Sequence, residues 1–526
     1  MSNGLDNLRQ HPLLHLAGVL IALACLLPIV WLLWIGLGPG ADEVAAVLRR
    51  PSTLQVVWRS LWLAAVVGGF AVAVSLPLAW LVHATDLPGR AVWRTLLVLP
   101  LAIPSYVTGF VVVGLFDASG PATRVLTQLG LAGFDPWSSG GALLALSFLY
   151  PLALLPAQAA LQRVGPAQWE AARSLGATPS RAFLTVVLPQ LRAALAGGFI
   201  VVALYVLSDF GAVSLLRVET LSYGVYQRYR VPTGRMDAVG YALLLAALAV
   251  ALVLLWQLMR GRIHAGSARD AVARPWPVVP LGRWRWPALA FCLVLTAWSL
   301  VLPVAVVVFW LVRGLRQGQA LDGVVAETAA TLVYSGVAAL LAVALALVPA
   351  LLARHGSPRL TRAVRMGAHA GYALPGIVVA LALVFFATRW AGALYQTAAM
   401  LLFAYLLRFL PLAMQAVTDG VEGTSPRLVE AARCAGCSPQ IAWLRVLAPA
   451  VLPALLAGFA VVFLSTIKEL PATLLLRPLG VETLATRIWS LTSDAWFARA
   501  ALPVLVMLVL AVGLMLLHPA IRRRDP

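Results

Sequence analysis

Long apolar stretches recur along this chain, and they limit its fold more than any other sequence feature. About twelve of them reach roughly 20 residues or more between boundaries of Arg, Pro and Gly. A helix rises about 1.5 Å per residue, so each stretch can cross a hydrocarbon core of about 30 Å. The candidate spans lie near residues 13–37, 58–83, 94–116, 141–162, 193–214, 238–259, 286–312, 329–353, 366–387, 395–417, 451–475 and 499–519. The sequence therefore predicts an all-α polytopic membrane protein.

Charge is too scarce in this chain to cover a soluble domain. Only 11% of the 526 residues are charged, whereas 61% are hydrophobic and the mean hydropathy is +0.90. A water-soluble protein of this size needs far more charge at its surface. Because only Arg9 precedes the first span and no small-residue cleavage site follows it, we expect a retained helix there rather than a signal peptide.

The formal charge of +19 is distributed in a way that predicts topology. Arginines concentrate in alternate loops, within 90–94, 163–192, 260–285, 354–365, 427–445 and 522–524. Basic loops stay on the cytoplasmic side of a membrane, so we expect these loops and both termini in the cytoplasm. The opposite loops hold fewer arginines, one group being Arg228, Arg230 and Arg235. Topology thus explains the basic charge, and we predict no nucleic-acid partner.

An internal duplication fixes the architecture. The segment 170–199 matches the segment 430–459 without a gap, at a constant offset of 260 positions. Its landmarks pair as Glu170 with Glu430, Gly176 with Gly436, Pro179 with Pro439, and Pro189 with Pro449. Similarity extends outward, aligning Pro104 with Pro375 and the stretch 208–221 with 468–484.

The duplication divides the chain into two related halves of about six helices each. We expect a first half at 1–259, an Arg- and Pro-rich cytoplasmic linker at 260–285, and a second half at 286–526. An even number of spans inserts both halves in the same orientation. An axis along the membrane normal can then relate them.

The repeated loops at 166–189 and 426–449 each predict a helix, a break and a second helix. In the second loop Ser425 and Pro426 provide an N-cap and an N1 proline, Gly436 is the C′ residue, and Ser438-Pro439 starts a new helix. The first loop uses Gly165-Pro166, Gly176 and Thr178-Pro179 in the same way. We call these loops the first and second elbows. Two interpretations follow, a docking site for a soluble partner or a plain interfacial hairpin.

The elbows resemble the EAA signature of ABC importer permeases: Glu-Ala-Ala, three residues, Gly, nine residues, an aliphatic residue, one residue and Leu-Pro. The first elbow matches at Glu170, Ala171, Ala172, Gly176 and Pro189. The second matches at Glu430, Ala431, Ala432, Gly436 and Pro449, and departs from the signature only in Ala448 for Leu. The resemblance implies two homologous six-helix halves of the type I importer fold. It also implies that each elbow, as a coupling helix, sits in a cleft on an ATPase subunit.

The same resemblance implies partners and a cargo. It implies two copies of an ABC ATPase that bind ATP and Mg, a periplasmic substrate-binding protein, and a bacterial inner membrane, with no cofactor on this chain. The stretches SDFGAVSLLR at 208–217 and KELPATLLLRP at 468–478 resemble the fused permeases of ferric-iron importers. Permeases for thiamine, phosphonates and related solutes share the architecture and remain alternatives.

The sequence offers no enzymatic motif of its own. A phosphate-binding loop needs Gly-x-x-x-x-Gly-Lys-[Ser/Thr], but the single Lys is Lys468, followed by Glu469. We therefore expect a separate subunit to hydrolyse ATP. Cys434 and Cys437 have no second ligand pair nearby, so we predict no metal site and interpret them as small elbow residues.

Ionisable and proline residues inside the spans are candidates for the translocation path. Asp209 aligns with Glu469, which follows Lys468, in the helix after each elbow. Either a polar gate or an interhelical ion pair fits these positions. Pro104, Tyr106 and Pro375 lie in matched helices, where proline kinks or unwinds the chain. We expect Arg59 and Arg408 to snorkel from helix ends.

One other class remains open from sequence, an ion-gradient-driven secondary transporter with twelve helices. That class predicts a relay of buried acids, and it leaves the duplicated elbows unexplained. A membrane scaffold without transport is a further alternative, which the aligned Asp209 and Lys468-Glu469 positions disfavour.

Overall fold

The computed structural model describes residues 12–131, 133–263, 276–319, 323–355, 358–438, 441 and 443–517. Within these ranges the regular structure is helical, and the extended pairing is a single bridge between Thr85 and Val279. Ten helices are long and apolar enough to span a membrane, or twelve if two bent pairs each count as one span. The polytopic all-α prediction is confirmed.

The described part of the first half contains fourteen α-helices. They are α1 Pro12–Leu37, α2 Ala41–Arg49, α3 Pro51–Ala84, α4 Arg90–Leu96, α5 Ser105–Phe116, α6 Pro121–Gln128, α7 Ser139–Leu146, α8 Pro151–Arg163, α9 Pro166–Ser174, α10 Pro179–Ala182, α11 Leu188–Ser208, α12 Gly211–Leu215, α13 Leu221–Tyr229 and α14 Arg235–Ile263. Short 3₁₀ turns at Leu99–Ala102, Ser147–Leu149 and Pro232–Gly234 and a π-turn at Phe183–Val187 join some of them.

The described part of the second half repeats this order. Its helices are α15 Arg285–Thr296, α16 Leu302–Arg316, α17 Val324–His355, α18 Pro358–Ala373, α19 Gly376–Trp390, α20 Ala398–Glu422, α21 Pro426–Cys434, α22 Ala448–Ile467, α23 Pro471–Leu476, α24 Leu484–Ser493 and α25 Phe497–Leu517. It adds 3₁₀ turns at Gly282–Trp284 and Gly392–Leu394 and π-turns at Ala297–Val301 and Trp443–Leu447. A π-turn thus lies in the last part of each elbow.

Four of the predicted spans are interrupted. Within the predicted spans 94–116 and 366–387 the chain bends by 89° before Ser105 and by 104° before Gly376, at the prolines where a kink or unwinding was expected. The spans 193–214 and 451–475 also stop early, since α11 ends at Ser208 and α22 at Ile467. Hydropathy identifies each of these spans but gives neither the bend angles nor the ends of α11 and α22.

Each half is built on the same three-helix core. Helices α3, α8 and α11 pack together in the first half, and α17, α20 and α22 pack together in the second. Small residues allow the close approach, as expected where lipid removes the hydrophobic driving force between helices. A Cβ on Gly198 would lie 3.0 Å from Ala153 Cα, and one on Gly420 would lie 2.2 Å from Ala454 Cβ.

The first spanning helix of each half packs against the opposite half. Helix α1 lies along α18 and α19, where Trp31 meets Phe386 edge-on at 5.6 Å. Helix α16 lies along α5, where Trp310 Nε1 donates to Gly114 O at 2.9 Å. The halves are therefore joined by exchanged helices as well as by the linker.

Several sequence predictions fall outside the described residues. The termini at 1–11 and 518–526, most of the linker at 264–275, and Pro439 belong to this group. Their predicted cytoplasmic placement and, for Pro439, its helix restart stay predictions.

Candidate functional site

The two elbows have the same backbone geometry at the bend that ends α9 and α21. After α9, Gly176 N donates to Arg173 O at 3.0 Å and Ala177 N donates to Ala172 O at 3.1 Å. After α21, the bonds from Gly436 and Cys437 repeat this pattern at 3.0 Å each. These are Schellman bonds, which require a left-handed C′ residue. Both glycines supply it, with φ of +86° and +85°.

Side-chain exposure also repeats position by position, from 170 to 178 and from 430 to 438. In each copy the Glu and the first Ala face outward, and the second Ala is partly buried. One N-cap prediction differs from the structure, because Ser425 occupies the N-cap position of α21 without a side-chain bond to the helix. Each elbow therefore presents a carboxylate, small side chains and a tight bend on one accessible surface.

The first elbow is fastened to the membrane helix that follows it. Gln190 Nε2, one residue after Pro189 in α11, donates to Gln168 Oε1 in α9 at 2.7 Å. Thr178 caps the short helix α10 by accepting from Arg181 N at 3.3 Å. Helix α10, the π-turn and α11 continue as one apolar span. The first elbow is thus connected to α11 both through the chain and through the Gln168–Gln190 hydrogen bond.

An aromatic cluster packs against the buried side of the first elbow. It comprises Trp80 of α3, Trp169 of α9, Phe183 and the linker residue Trp276, with ring centroids 4.8 to 5.8 Å apart. Trp169 is only 4% exposed, so the helix side opposite Glu170 is fixed by packing.

The linker is an unexpected part of this cluster. Trp276 Nε1 donates to Val164 O at 2.9 Å, immediately before the first elbow. Val279 pairs with the end of α3 through Val279 N to Ala84 O at 2.8 Å, and Leu281 N donates to Asp86 Oδ1 at 2.8 Å. Sequence analysis predicted only a connection here, because an isolated Trp in a Pro-rich stretch has no periodic pattern to follow.

Both candidate prolines lie at the membrane-helix bends. Pro104 and Pro375 are the N-cap residues of α5 and α19, with extended ψ of 150° and 143°. A proline there has no amide hydrogen to leave unsatisfied, which suits a break inside the membrane.

The two aligned carboxylates cap the second pair of breaks. Asp209 Oδ2 accepts from Ala212 N at 3.0 Å and from Val213 N at 3.3 Å, at the start of α12. Glu469 Oε1 accepts from Ala472 N at 3.2 Å, at the start of α23. These side chains satisfy backbone donors that a helix break exposes in a low-dielectric interior. Their shared alignment therefore reflects a shared structural task.

The expectation that Arg408 snorkels from a helix end is wrong. Its side chain is 21% exposed, and its Nε lies 3.3 Å from Glu469 Oε2, although the angle does not make a hydrogen bond. The guanidinium occupies the space over Gly376, where a Cβ would lie 1.6 Å from Arg408 Nη1. Arg408 stands in the middle of α20, and a charge at that depth was the available sequence signal for a paired role.

Lys468 and Tyr106 meet the opposite half. Lys468 Nζ donates to Leu101 O at 3.2 Å, close to the Pro104 bend. Tyr106 is 1% exposed, its hydroxyl has no hydrogen-bond partner, and Glu469 and Tyr405 of the second half lie within electrostatic range. The structure thus gathers the Pro104, Tyr106, Asp209, Lys468 and Glu469 region at the interface of the halves.

Past the breaks, on the side of the membrane helices away from the elbows, matched bonds hold the short helices α13 and α24. Leu221 N donates to Ser60 Oγ in the first half, and Leu484 N donates to Thr331 Oγ1 in the second, each at 2.9 Å. The halves meet there through Tyr229 and Tyr395, whose hydroxyls are 3.4 Å apart. Burial raises the pKa of Tyr229, so its phenol keeps its proton.

Comparison with known proteins agrees with this duplicated geometry. The family model for the inner membrane component of binding-protein-dependent transport systems matches the chain twice, at residues 75–267 and 338–524. The chain therefore belongs to this family of ABC importer permeases, with two permease units in one polypeptide.

Individual relatives cover either the whole chain or part of it. The chain is 30% identical to a Fe(3+)-transport system permease protein of Haemophilus influenzae, over 94% of this chain and 95% of that protein. It is 29% identical to a sulfate transport system permease protein of Escherichia coli, over 39% of this chain and 72% of that protein. It is 28% identical to a molybdenum transport system permease protein of Escherichia coli, over 40% of this chain and 96% of that protein. A chain of a solved bacterial alginate ABC transporter in complex with its periplasmic protein matches 46% of this chain and 93% of its own length, with 18% identity and a TM-score of 0.38.

The Arg408–Glu469 pair yields a stability prediction. Arg408→Met should destabilise the protein by about 3–5 kcal/mol, because it leaves a buried carboxylate without its partner. Adding Glu469→Gln should recover much of this loss, since an amide oxygen can still accept from Ala472 N. Thermal unfolding in detergent measures both variants. Arg59→Met is the control, because its pair with Glu219 is 51% and 57% exposed and should contribute less than about 1 kcal/mol. Equal destabilisation in the single and double variants would contradict the pairing.

The linker contact yields a second prediction. Trp276→Ala should speed amide hydrogen exchange across 164–176, because it removes a packed ring and the bond to Val164 O. Exchange across 430–438 in the same molecule should not change. Trp284→Ala, at a position 62% exposed, is the matched control. Unchanged exchange at the first elbow would show that the linker does not support it.

Proposed function

We propose that this chain is the membrane subunit of an ATP-driven importer in which each elbow docks on one ATPase subunit. The observation that carries the proposal is the repeated elbow, with matching Schellman bonds, exposure and position before a membrane helix. A plain hairpin needs no such agreement between two copies. Two elbows per chain correspond to two ATPase copies, which bind the ATP and Mg that this chain does not.

The proposed mechanism follows the covalent and hydrogen-bonded connections from each elbow. Closure of the ATPase dimer displaces α9 and α21. The first displacement passes through the Gln168–Gln190 bond into α11, and so to the break at Asp209. Helix α12, beyond that break, packs on α5 after the Pro104 bend. Rotation of the halves then opens the interface alternately to the two sides of the membrane.

Orientation and partners complete the proposal. The elbows face the cytoplasm with both termini, and the short external helices α13 and α24 face the periplasm. A periplasmic binding protein delivers the cargo to that face. The membrane is the inner membrane, in agreement with the family description.

Ferric iron is the proposed cargo. Support comes from the Fe(3+)-transport permease that matches along 94% of this chain, whereas the sulfate and molybdenum permeases match about two fifths of it. Thiamine and phosphonate remain alternative cargoes on the sequence resemblance.

The coupling role predicts a defined uncoupled phenotype. Gly176→Val with Gly436→Val should abolish most ATP-driven uptake while leaving the protein inserted, because a β-branched residue is strained at the positive φ of each bend. Gly480→Val is the matched control, since Gly480 has φ of +77° in an external turn with open space around it. Uptake and ATP hydrolysis are measured in proteoliposomes. Normal uptake in the double variant would refute the coupling role.

The cargo assignment predicts selective iron uptake. Cells that contain this chain and its ATPase should accumulate radioactive ferric iron, and unlabelled thiamine and phosphonate should not compete. Cells without the ATPase should not accumulate iron. Uptake that persists without the ATPase and follows an ion gradient would instead support a secondary transporter. Competition by unlabelled thiamine or phosphonate would identify that solute, rather than iron, as the cargo.

A further inference from the structure

A small cavity lies at the interface of the halves, next to the Pro104 bend. Its volume is about 40 Å³, and its polar side chains are Ser105, Thr108 and Tyr205 of the first half and Lys468 of the second. No carboxylate belongs to this lining among the described residues. The polar lining is thus made of hydroxyl groups and one ammonium group.

Lys468 contributes a positive charge without a matching negative one. Its Nζ donates to Leu101 O, and no ion pair within the described ranges includes it. An ammonium group has three donors, so two remain after the Leu101 bond. A charged group at such a position is costly unless it has a function or a partner.

The two nearby carboxylates are engaged within their own halves. Asp209 accepts from two backbone amides and from the Ser105 hydroxyl. Glu469 accepts from Ala472 N and faces Arg408. Releasing either carboxylate to a passing ion would leave a helix start without its cap. The charge left for the cargo at this interface is therefore positive.

This donor set suits an anion and opposes a bare cation. Hard cations are held by carboxylate and carbonyl oxygens, several at a time. Ammonium and hydroxyl donors instead bind oxyanions and carboxylates, and charge-assisted bonds of this kind are the strong ones. A trivalent ion that passed Lys468 without its own anions would meet repulsion.

We propose that the cargo crosses the interface of the halves as a net anion, with Lys468 as its charged contact. The anion is either an inorganic oxyanion or an iron chelate whose carboxylates outweigh the metal charge. This inference rests on the proposed importer function. The cavity holds no more than a few water molecules, so the contact with cargo forms when the halves move apart.

The test uses the complete importer, with its ATPase and binding protein, in proteoliposomes supplied with ATP. The probes are radioactive sulfate, radioactive molybdate, and ferric citrate with separate labels on iron and citrate, in a buffer whose other anions bind iron weakly. Entry of sulfate or molybdate supports the proposal with an inorganic oxyanion as the cargo. Entry of iron together with citrate supports it with an iron chelate as the cargo. Entry of iron with citrate left outside overturns it. If no probe enters in an ATP-dependent manner, both the net-anion proposal and the proposed importer function are overturned, whereas entry of iron without citrate overturns the net-anion proposal alone.

Variants at Lys468 test the sign of the charge on whichever probe enters. Lys468→Met and Lys468→Glu should each lower the uptake rate by roughly tenfold or more, the cost of losing one charge-assisted contact, while Lys468→Arg should keep most of it. A bare cation predicts the reverse order, with Lys468→Glu as fast as the unaltered chain or faster. Basal ATP hydrolysis and thermal unfolding of each variant separate a transport defect from misfolding. The ratio of iron label to citrate label that enters through the unaltered chain tests the proposal without any variant.

Discussion

Backbone hydrogen bonding inside the membrane is the constraint on which the rest of this structure depends. Two helices in each half stop within their predicted spans, and each stop exposes amides that lipid cannot satisfy. Pro104 and Pro375 remove one donor at the first pair of breaks. Asp209 and Glu469 accept from the exposed amides at the second pair. With the breaks satisfied, irregular backbone can lie at the interface of the halves, buried in protein rather than exposed to lipid.

The sequence predicted the elements governed by local chemistry. The elbows follow from Gly, Pro and small residues at fixed spacing, and the structure places Gly176 and Gly436 at positive φ as that chemistry requires. The number of apolar segments follows from hydropathy when the bent pairs are counted as single spans. The sequence did not predict the bend angles, the Trp276 contact or the partner of Arg408. Each of them depends on which side chain fills a space between segments distant in sequence, and no local pattern records that.

The two halves keep one backbone design but support it with different side chains. In the first half, Ser105 donates to the capping carboxylate of Asp209. The aligned residue in the second half is Gly376, and the space left by its missing side chain admits Arg408 beside Glu469. Phe148 occupies the place of Arg408 in the first half, and Ser208 the place of Lys468. Backbone satisfaction fixes the breaks in both halves, whereas the charges around them are free to differ, so the two halves present chemically different side chains at their interface.

The exchange of first helices has a consequence for the order in which the protein is made. Helix α1 is synthesised before the second half, yet its packing surfaces on α18 and α19 are more than 300 residues further along the chain. Until they are synthesised, the insertion machinery or the surrounding lipid must shelter Trp31 and the small residues near Gly18. The first half thus completes its assembly only after synthesis of the second has passed the α19 bend. Because the halves are fused in one polypeptide, α1 always packs against the α18 and α19 of its own chain.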